Sequence, residues 1–144
     1  VAKIFKVETL LVDTGVLYAL ADRKDKWHDR SVALVSGFSG KLLVPATVIP
    51  ETCYLLNTYL GQAAELAFVR ALIDRELAVE QVTMADLARA EEVMKEYADA
   101  NIGVVDASLV AVAERLKLTR ILTVDRRHFA MIRPRHCKEF DLLP

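Results

Sequence analysis

A short apolar run, Thr9-Leu10-Leu11-Val12, ends abruptly in Asp13-Thr14-Gly15, and a helix-compatible pattern follows at once. Read physically, this is a buried strand that delivers Asp13 to the rim of a sheet. Open α/β sheets bind their ligands outside the carboxyl ends of their strands. The stretch therefore constrains both the fold and the place to look for chemistry.

The rest of the chain alternates in the same way. After Asp13, Gly15 to Asp22 reads as a short helix carrying Val16, Leu17 and Leu20. Trp27, Leu34, Val35 and Phe38 fall on one helical face, and Lys41-Leu42-Leu43-Val44 is a second strand stopped by Pro45. Thr47 to Leu60 is helical, with Pro50 near the first turn and Leu55, Leu56, Tyr59 and Leu60 as its expected buried stripe. Ala63 to Ile73 is apolar over much of its circumference, which predicts burial on two sides, against a second subunit among other surfaces. Leu77 to Val82 reads as a strand. Thr83 then caps a helix with Asp86 in its first turn and Leu87, Ala90, Met94 and Tyr97 along it. Asp106 opens a helix whose Leu109, Val112, Ala113 and Leu116 keep the helical spacing. Arg120 to Val124 is a strand ending at Asp125, and Phe140 to Leu143 adds an edge strand. Strands separated by helices predict a three-layer α/β/α sandwich around a mainly parallel sheet of four to five strands.

Length and composition set the frame. A chain of 144 residues with 53% hydrophobic content suits a single domain, 1–144, with a real core. No apolar run reaches the roughly 18 residues of a spanning helix. Val1 to Glu8 contains no signal-peptide pattern, and Cys53 and Cys137 form no disulfide framework. These features together predict a soluble, cytoplasmic protein with reduced thiols. The net charge of -1 announces no nucleic-acid partner. Its distribution does more: Arg120, Arg126, Arg127, Arg133, Arg135 and Lys138 crowd one stretch, and Arg23, Lys24 and Lys26 follow the first helix. Such local patches can hold phosphates on a near-neutral protein.

The acids are the sharper signal. Asp13 and Asp125 follow strands, Asp106 heads a helix, and Glu51 lies in the first turn after the second strand. Any one of them is explained as a helix cap or a complement to the helix dipole. In a doubly wound sheet, however, all four belong to one edge. Carboxylates about 4 Å apart repel by roughly 4 kcal/mol per pair at an effective dielectric of 20. Hard divalent cations offset that repulsion, and Mg²⁺ or Mn²⁺ prefers oxygen ligands. Thr14, Ser108 and Thr123 supply hydroxyls nearby that can orient a carboxylate or a water, or serve as ordinary caps.

Taken together, Asp13 after its strand, Pro50-Glu51-Thr52, Asp106-Ala-Ser-Leu and Thr123-Val-Asp-x-x-His-Phe resemble a PIN domain, and within it the single-domain VapC-type toxins of toxin–antitoxin pairs. The resemblance spans essentially the whole chain. It implies an Mg²⁺- or Mn²⁺-dependent endoribonuclease whose acidic quartet is Asp13, Glu51, Asp106 and Asp125. The three aspartates would mainly hold metal, and the glutamate would hold metal or position water. It also implies a homodimer neutralised by a small antitoxin protein. Substrate RNA phosphates would then fall to Arg126 and Arg127, with Arg23 and Lys24 beside them.

Rival readings leave specific gaps. Asp13-Thr14-Gly15 also spells an aspartic-protease signature, but those enzymes are all-β and the helical periodicity from Trp27 onward opposes them. A receiver domain needs a lysine ending its last strand, where this chain has Leu-Leu-Pro. A haloacid-dehalogenase-type phosphatase needs Asp-x-Asp at the first strand. The rival from a different class is a non-catalytic PIN-like module that binds RNA or protein, and it has no use for four intact acids. Trp27 reads as core or groove packing, His28 in Asp25-x-x-His28 as structural, and Met84, Met94 and Met131 as core filler. His28, His128 and His136 have no zinc-site spacing with either cysteine.

Overall fold

The computed structural model describes residues 7–144; residues 1–6, which carry most of the N-terminal reading, lie outside it. Its centre is one five-stranded, all-parallel sheet in the order β3-β2-β1-β4-β5. The strands are β1 (Thr9–Val12), β2 (Lys41–Pro45), β3 (Ala78–Glu80), β4 (Arg120–Leu122) and β5 (Asp141–Leu143). The helices are α1 (Thr14–Ala21), α2 (His28–Gly37), α3 (Val48–Leu60), α4 (Gln62–Ile73), α5 (Met84–Glu96), α6 (Val104–Leu116) and α7 (Arg126–Met131). This is the α/β/α architecture expected from the strand–helix alternation.

Strand order explains where the chemistry goes. The chain runs outward from β1 through β2 to β3, then returns to the far side of β1 to lay down β4 and β5. Right-handed crossovers place α1 to α4 on one face and α5 and α6 on the other. The order therefore reverses between β1 and β4, where helices leave in opposite directions and open a crevice. β1 is buried from Leu10 to Val12 because both its edges and both its faces are covered.

The helices are held by different means. Residues 107–113 of α6 are all buried, since the helix lies beneath the sheet with α5 packed against it. α5 begins with a capping box in which Thr83 and Asp86 exchange hydrogen bonds. Asp86 is buried and also receives the Arg115 guanidinium, with Nε 3.0 Å from Oδ1. Arg89 makes a second bridge from α5 to α6, 2.7 Å to Glu114. α3 and α4 form a hairpin that turns at Gly61, whose φ of +95° is open to glycine and strained for other residues.

Several expectations need correction. α3 buries Val48, Thr52 and Leu56, whereas Tyr59 is 68% exposed and Leu60 lies at the surface. The last turn of α3 faces outward, where Tyr59 and Tyr18 meet edge to face with ring centroids 6.2 Å apart. α4 buries Phe68 alone, and Leu66 and Ile73 are exposed. Met84 is 81% exposed and Met131 partly so; of the methionines read as core filler, Met94 alone packs against the core. β4 stops at Leu122, because the backbone of Thr123 to Asp125 turns toward α7. Asp106 is the third residue of α6 rather than its cap, which is Gly103. Both cysteines are free. No helix among the described residues is long and apolar enough to cross a membrane.

Candidate active site

The acids expected at the sheet's carboxyl edge are joined there by an unbroken chain of contacts. Asp13 leaves β1 at its carboxyl end and caps α1, its Oδ1 accepting from the Thr14 backbone N–H at 2.7 Å. Its other oxygen accepts from the Thr123 hydroxyl at 2.9 Å. Thr123 Oγ1 in turn accepts from the Asp125 backbone N–H at 3.0 Å, so one buried hydroxyl ties the ends of β1 and β4 together. On the other side, the Thr14 hydroxyl donates to Glu51 Oε2 at 3.1 Å. Glu51 reaches this position from the first turn of α3.

The chain continues through a residue to which the sequence reading gave no role. His128 Nδ1 lies 3.1 Å from Asp106 Oδ2 and 3.3 Å from Asp125 Oδ2, within donating distance of both. α7 supplies this geometry: Asp125 at its N-terminal cap and His128 three residues on share one side of its first turn. The Asp125-x-x-His128 spacing was the available signal. Asp106, Asp125 and His128 offer ligand atoms within 4.8 Å of one another.

Burial is graded across the cluster. Asp13 is 5% exposed, the Asp106 side chain 20% and the Asp125 side chain 44%, while Glu51 lies at the mouth. The pKa of Asp13 is raised to about 6, first by burial and then by the nearby charges of Asp106 and Glu51. The hydrogen bonds from Thr14 and Thr123 oppose the shift. Asp106 is also pushed up, again chiefly by burial, with His128 opposing and the Asp125 and Glu51 charges adding. A site in which ionised carboxylates are disfavoured to this degree is one that a cation relieves. Its donors, carboxylate oxygens with a single imidazole at the rim, fit a hard divalent ion.

The remaining candidate residues divide. Thr14 and Thr123 contact acids directly. Ser108 does not: its hydroxyl is buried against Thr47 Oγ1 at 2.7 Å and donates to the Val105 carbonyl at 2.6 Å, locking α6 to the entry of α3. Arg126 and Arg127 are exposed at the start of α7, and Arg23 and Lys24 are exposed in the loop after α1. His28 is structural, its Nδ1 2.6 Å from the Ala19 carbonyl oxygen.

A parallel sheet with this order and an acid-lined crevice at its reversal point defines a doubly wound α/β class, and the match to the PIN domain over residues 10–133 shows that the chain belongs to the PIN-domain family. It is 32% identical over 135 residues to "Ribonuclease VapC26" of Mycobacterium tuberculosis (strain ATCC 25618 / H37Rv), an alignment covering 94% of this chain and 100% of that protein. Its fold is similar to that of M. tuberculosis VapC20, described as a sarcin-ricin loop cleaving toxin, with TM-score 0.77 and 24% identity over 83% of this chain and 92% of that one. It is also similar to VapBC2 from Rickettsia felis, solved bound to a DNA fragment from its promoter, with TM-score 0.68 and 12% identity over 95% and 100% of the two chains.

Proposed function

We propose that this chain is a metal-dependent endoribonuclease, the toxin of a toxin–antitoxin pair, acting at Asp13, Glu51, Asp106 and Asp125. The observation that carries the reading is the contact chain Glu51–Thr14–Asp13–Thr123–Asp125–His128–Asp106, which binds four acids from separate segments into one crevice. Supporting it is the similarity to a protein named as a ribonuclease over nearly the whole chain.

Asp13, Asp106 and Asp125 would hold Mg²⁺ or Mn²⁺, with His128 a further donor. When bound, such an ion supplies a Lewis acid to the phosphate and makes water a better nucleophile. The protein's own contribution is orientation. Thr14 and Thr123 fix both oxygens of Asp13, so that carboxylate cannot rotate away from the crevice. Thr14 also turns Glu51 inward at the mouth, where the glutamate is placed to accept a proton from an incoming water. Arg126 and Arg127, with Arg23 and Lys24, would hold flanking RNA phosphates. Replacing Arg126 and Arg127 together by Ala is expected to weaken RNA binding about tenfold or more and to flatten its salt dependence, measured by filter binding at several salt concentrations.

A small antitoxin protein and a second copy of the chain are the proposed partners. The similarity to solved toxin–antitoxin complexes supports the first. The apolar side chains left exposed on α3 and α4 support the second. The deciding experiment incubates the purified protein with total RNA in Mn²⁺ or EDTA, beside an Asp106→Asn control. Cleavage that needs both metal and Asp106 is expected. RNA binding without cleavage, unaltered by Asp106→Asn, would instead mark a binding module.

A further inference from the structure

Trp27 has a setting that core packing does not explain. Its ring is half-buried, and two guanidiniums lie over it: Arg30 Cζ at 5.2 Å and Arg126 Cζ at 5.6 Å from the ring centroid. Arg30 sits one turn along α2, and Arg126 directly follows Asp125 at the start of α7. The indole therefore bridges α2 to the rim of the acidic crevice. Its backbone is fixed on both sides, by its N–H to Asp25 Oδ1 at 2.8 Å and by its carbonyl, which accepts from Ser31 N–H at 3.0 Å.

Neither arginine over the ring is tied up by an acidic side chain among the described residues. Arg70, Arg89, Arg115, Arg120 and Arg135 each have a carboxylate within 4.0 Å. Among the described residues, neither Arg30 nor Arg126 has one, although Arg126 donates to the Pro144 carbonyl oxygen. Two cations brought to one aromatic ring with no acidic side chain between them repel each other. A stack whose role was only to close α2 on α7 gains nothing from the second cation. Guanidiniums stacked on an aromatic face keep their edge N–H groups available for bidentate contact with phosphate.

Building on the ribonuclease reading, we propose that Trp27 is a positioning residue that holds Arg30 and Arg126 as a paired receptor for the RNA phosphodiester backbone beside the acidic crevice. Phosphate contacts fix register without reading sequence, so the pair sets where along the strand the scissile bond falls.

Trp27 is the sole tryptophan of the chain, so its fluorescence reports this site alone. The probe is a mixed-sequence single-stranded RNA, titrated into the Asp106→Asn protein at several salt concentrations, with wild-type cleavage of total RNA measured in parallel. RNA is expected to change Trp27 emission. Arg30→Gln and Arg126→Gln should each lower the slope of log affinity against log salt by about 0.7, the value for one single-strand phosphate contact. Trp27→Leu should reduce the slope and Trp27→Phe should largely restore it, a pattern that loss of packing alone does not produce. Unmoved emission, with unchanged slopes in both arginine variants, overturns the proposal while cleavage by the wild type leaves the ribonuclease reading standing. Absence of both binding and cleavage overturns the two together. A responsive Trp27 without cleavage upholds the receptor and removes the nuclease.

Discussion

Asp13 is a carboxylate held where burial works against its charge. With its pKa raised to about 6 from 3.8, the acid in the metal-free fold keeps its proton to higher pH than in the unfolded chain. A carboxyl raised in the folded state gives stability that is fully present below its unfolded value and is lost as pH rises through 6. The difference amounts to about 3 kcal/mol. In EDTA, urea unfolding should show wild-type stability falling from pH 4 to pH 7, and Asp13→Asn should remove much of that fall. Mn²⁺ affinity should run the other way, rising as pH passes 6, because the ion needs the ionised acid; titration calorimetry would show it. A flat wild-type profile would mean that Asp13 is not buried among charges as described. The prominence of Asp13 was legible in the sequence, because it shares the carboxyl edge of the expected sheet with three further acids, although alone it would read as the cap that it also is. The part of His128 was not. Its signal was a three-residue spacing on a six-residue helix, and a histidine near two acids becomes visible only when α6 and α7 are brought together.

At the scale of elements, two junctions carry the site. Gly15 lies in the first turn of α1 where the helix leans on Val124, and an added Cβ would run into Val124 Cγ2. Val124 lies between Thr123 and Asp125, so displacing it to admit Gly15→Ala disturbs the segment that holds both. We expect a loss of about 1–3 kcal/mol, the usual cost of overpacking, together with weaker Mn²⁺ binding. Thermal melts with and without Mn²⁺ would separate the two effects. The second junction is Asp86 with Arg115. Burial alone would raise the Asp86 pKa, but the Arg115 guanidinium and the Thr83 cap bring it below its usual value. A depressed acid stabilises above its unfolded pKa and loses that contribution as pH falls through the folded one. Arg115→Leu should therefore cost about 2–3 kcal/mol at neutral pH, by stranding a buried carboxylate, and much less near pH 3; denaturant unfolding at the two pH values checks it. Element order was legible from β1 to β4 because hydrophobic period distinguishes strands from helices, whereas α7 is too short to show a period. Which face of α3 is buried was not, because its apolar residues run past the edge of the helices that cover it, leaving Tyr59 and Leu60 outside.

At the scale of the molecule, the all-parallel order determines both the crevice and the surfaces left bare. The crevice follows from topology alone, since any chain reversing beside β1 opens it. The bare surfaces, Tyr54, Tyr59, Leu66 and Ile73 on the α3–α4 hairpin, could be anticipated only as excess apolarity on α4. If a second copy covers them, Tyr59→Lys with Leu66→Lys should shift the wild-type dimer toward monomer in sedimentation experiments without lowering the melting temperature of the monomer. An unchanged sedimentation profile would assign the dimer, if one forms, to another face.

The topology has a further consequence for how such a protein comes into being. β1 is made early, yet the hydroxyl that fixes Asp13 belongs to Thr123 and the last acid is Asp125. At ribosomal speeds of roughly 5–20 residues per second, about 6 to 22 s separate the first acid from the fourth. A chain proposed to cut RNA thus has no complete crevice until β4 and Asp125 have been made. Copies terminated before β4 would lack Thr123 and Asp125, and with them one wall of the crevice.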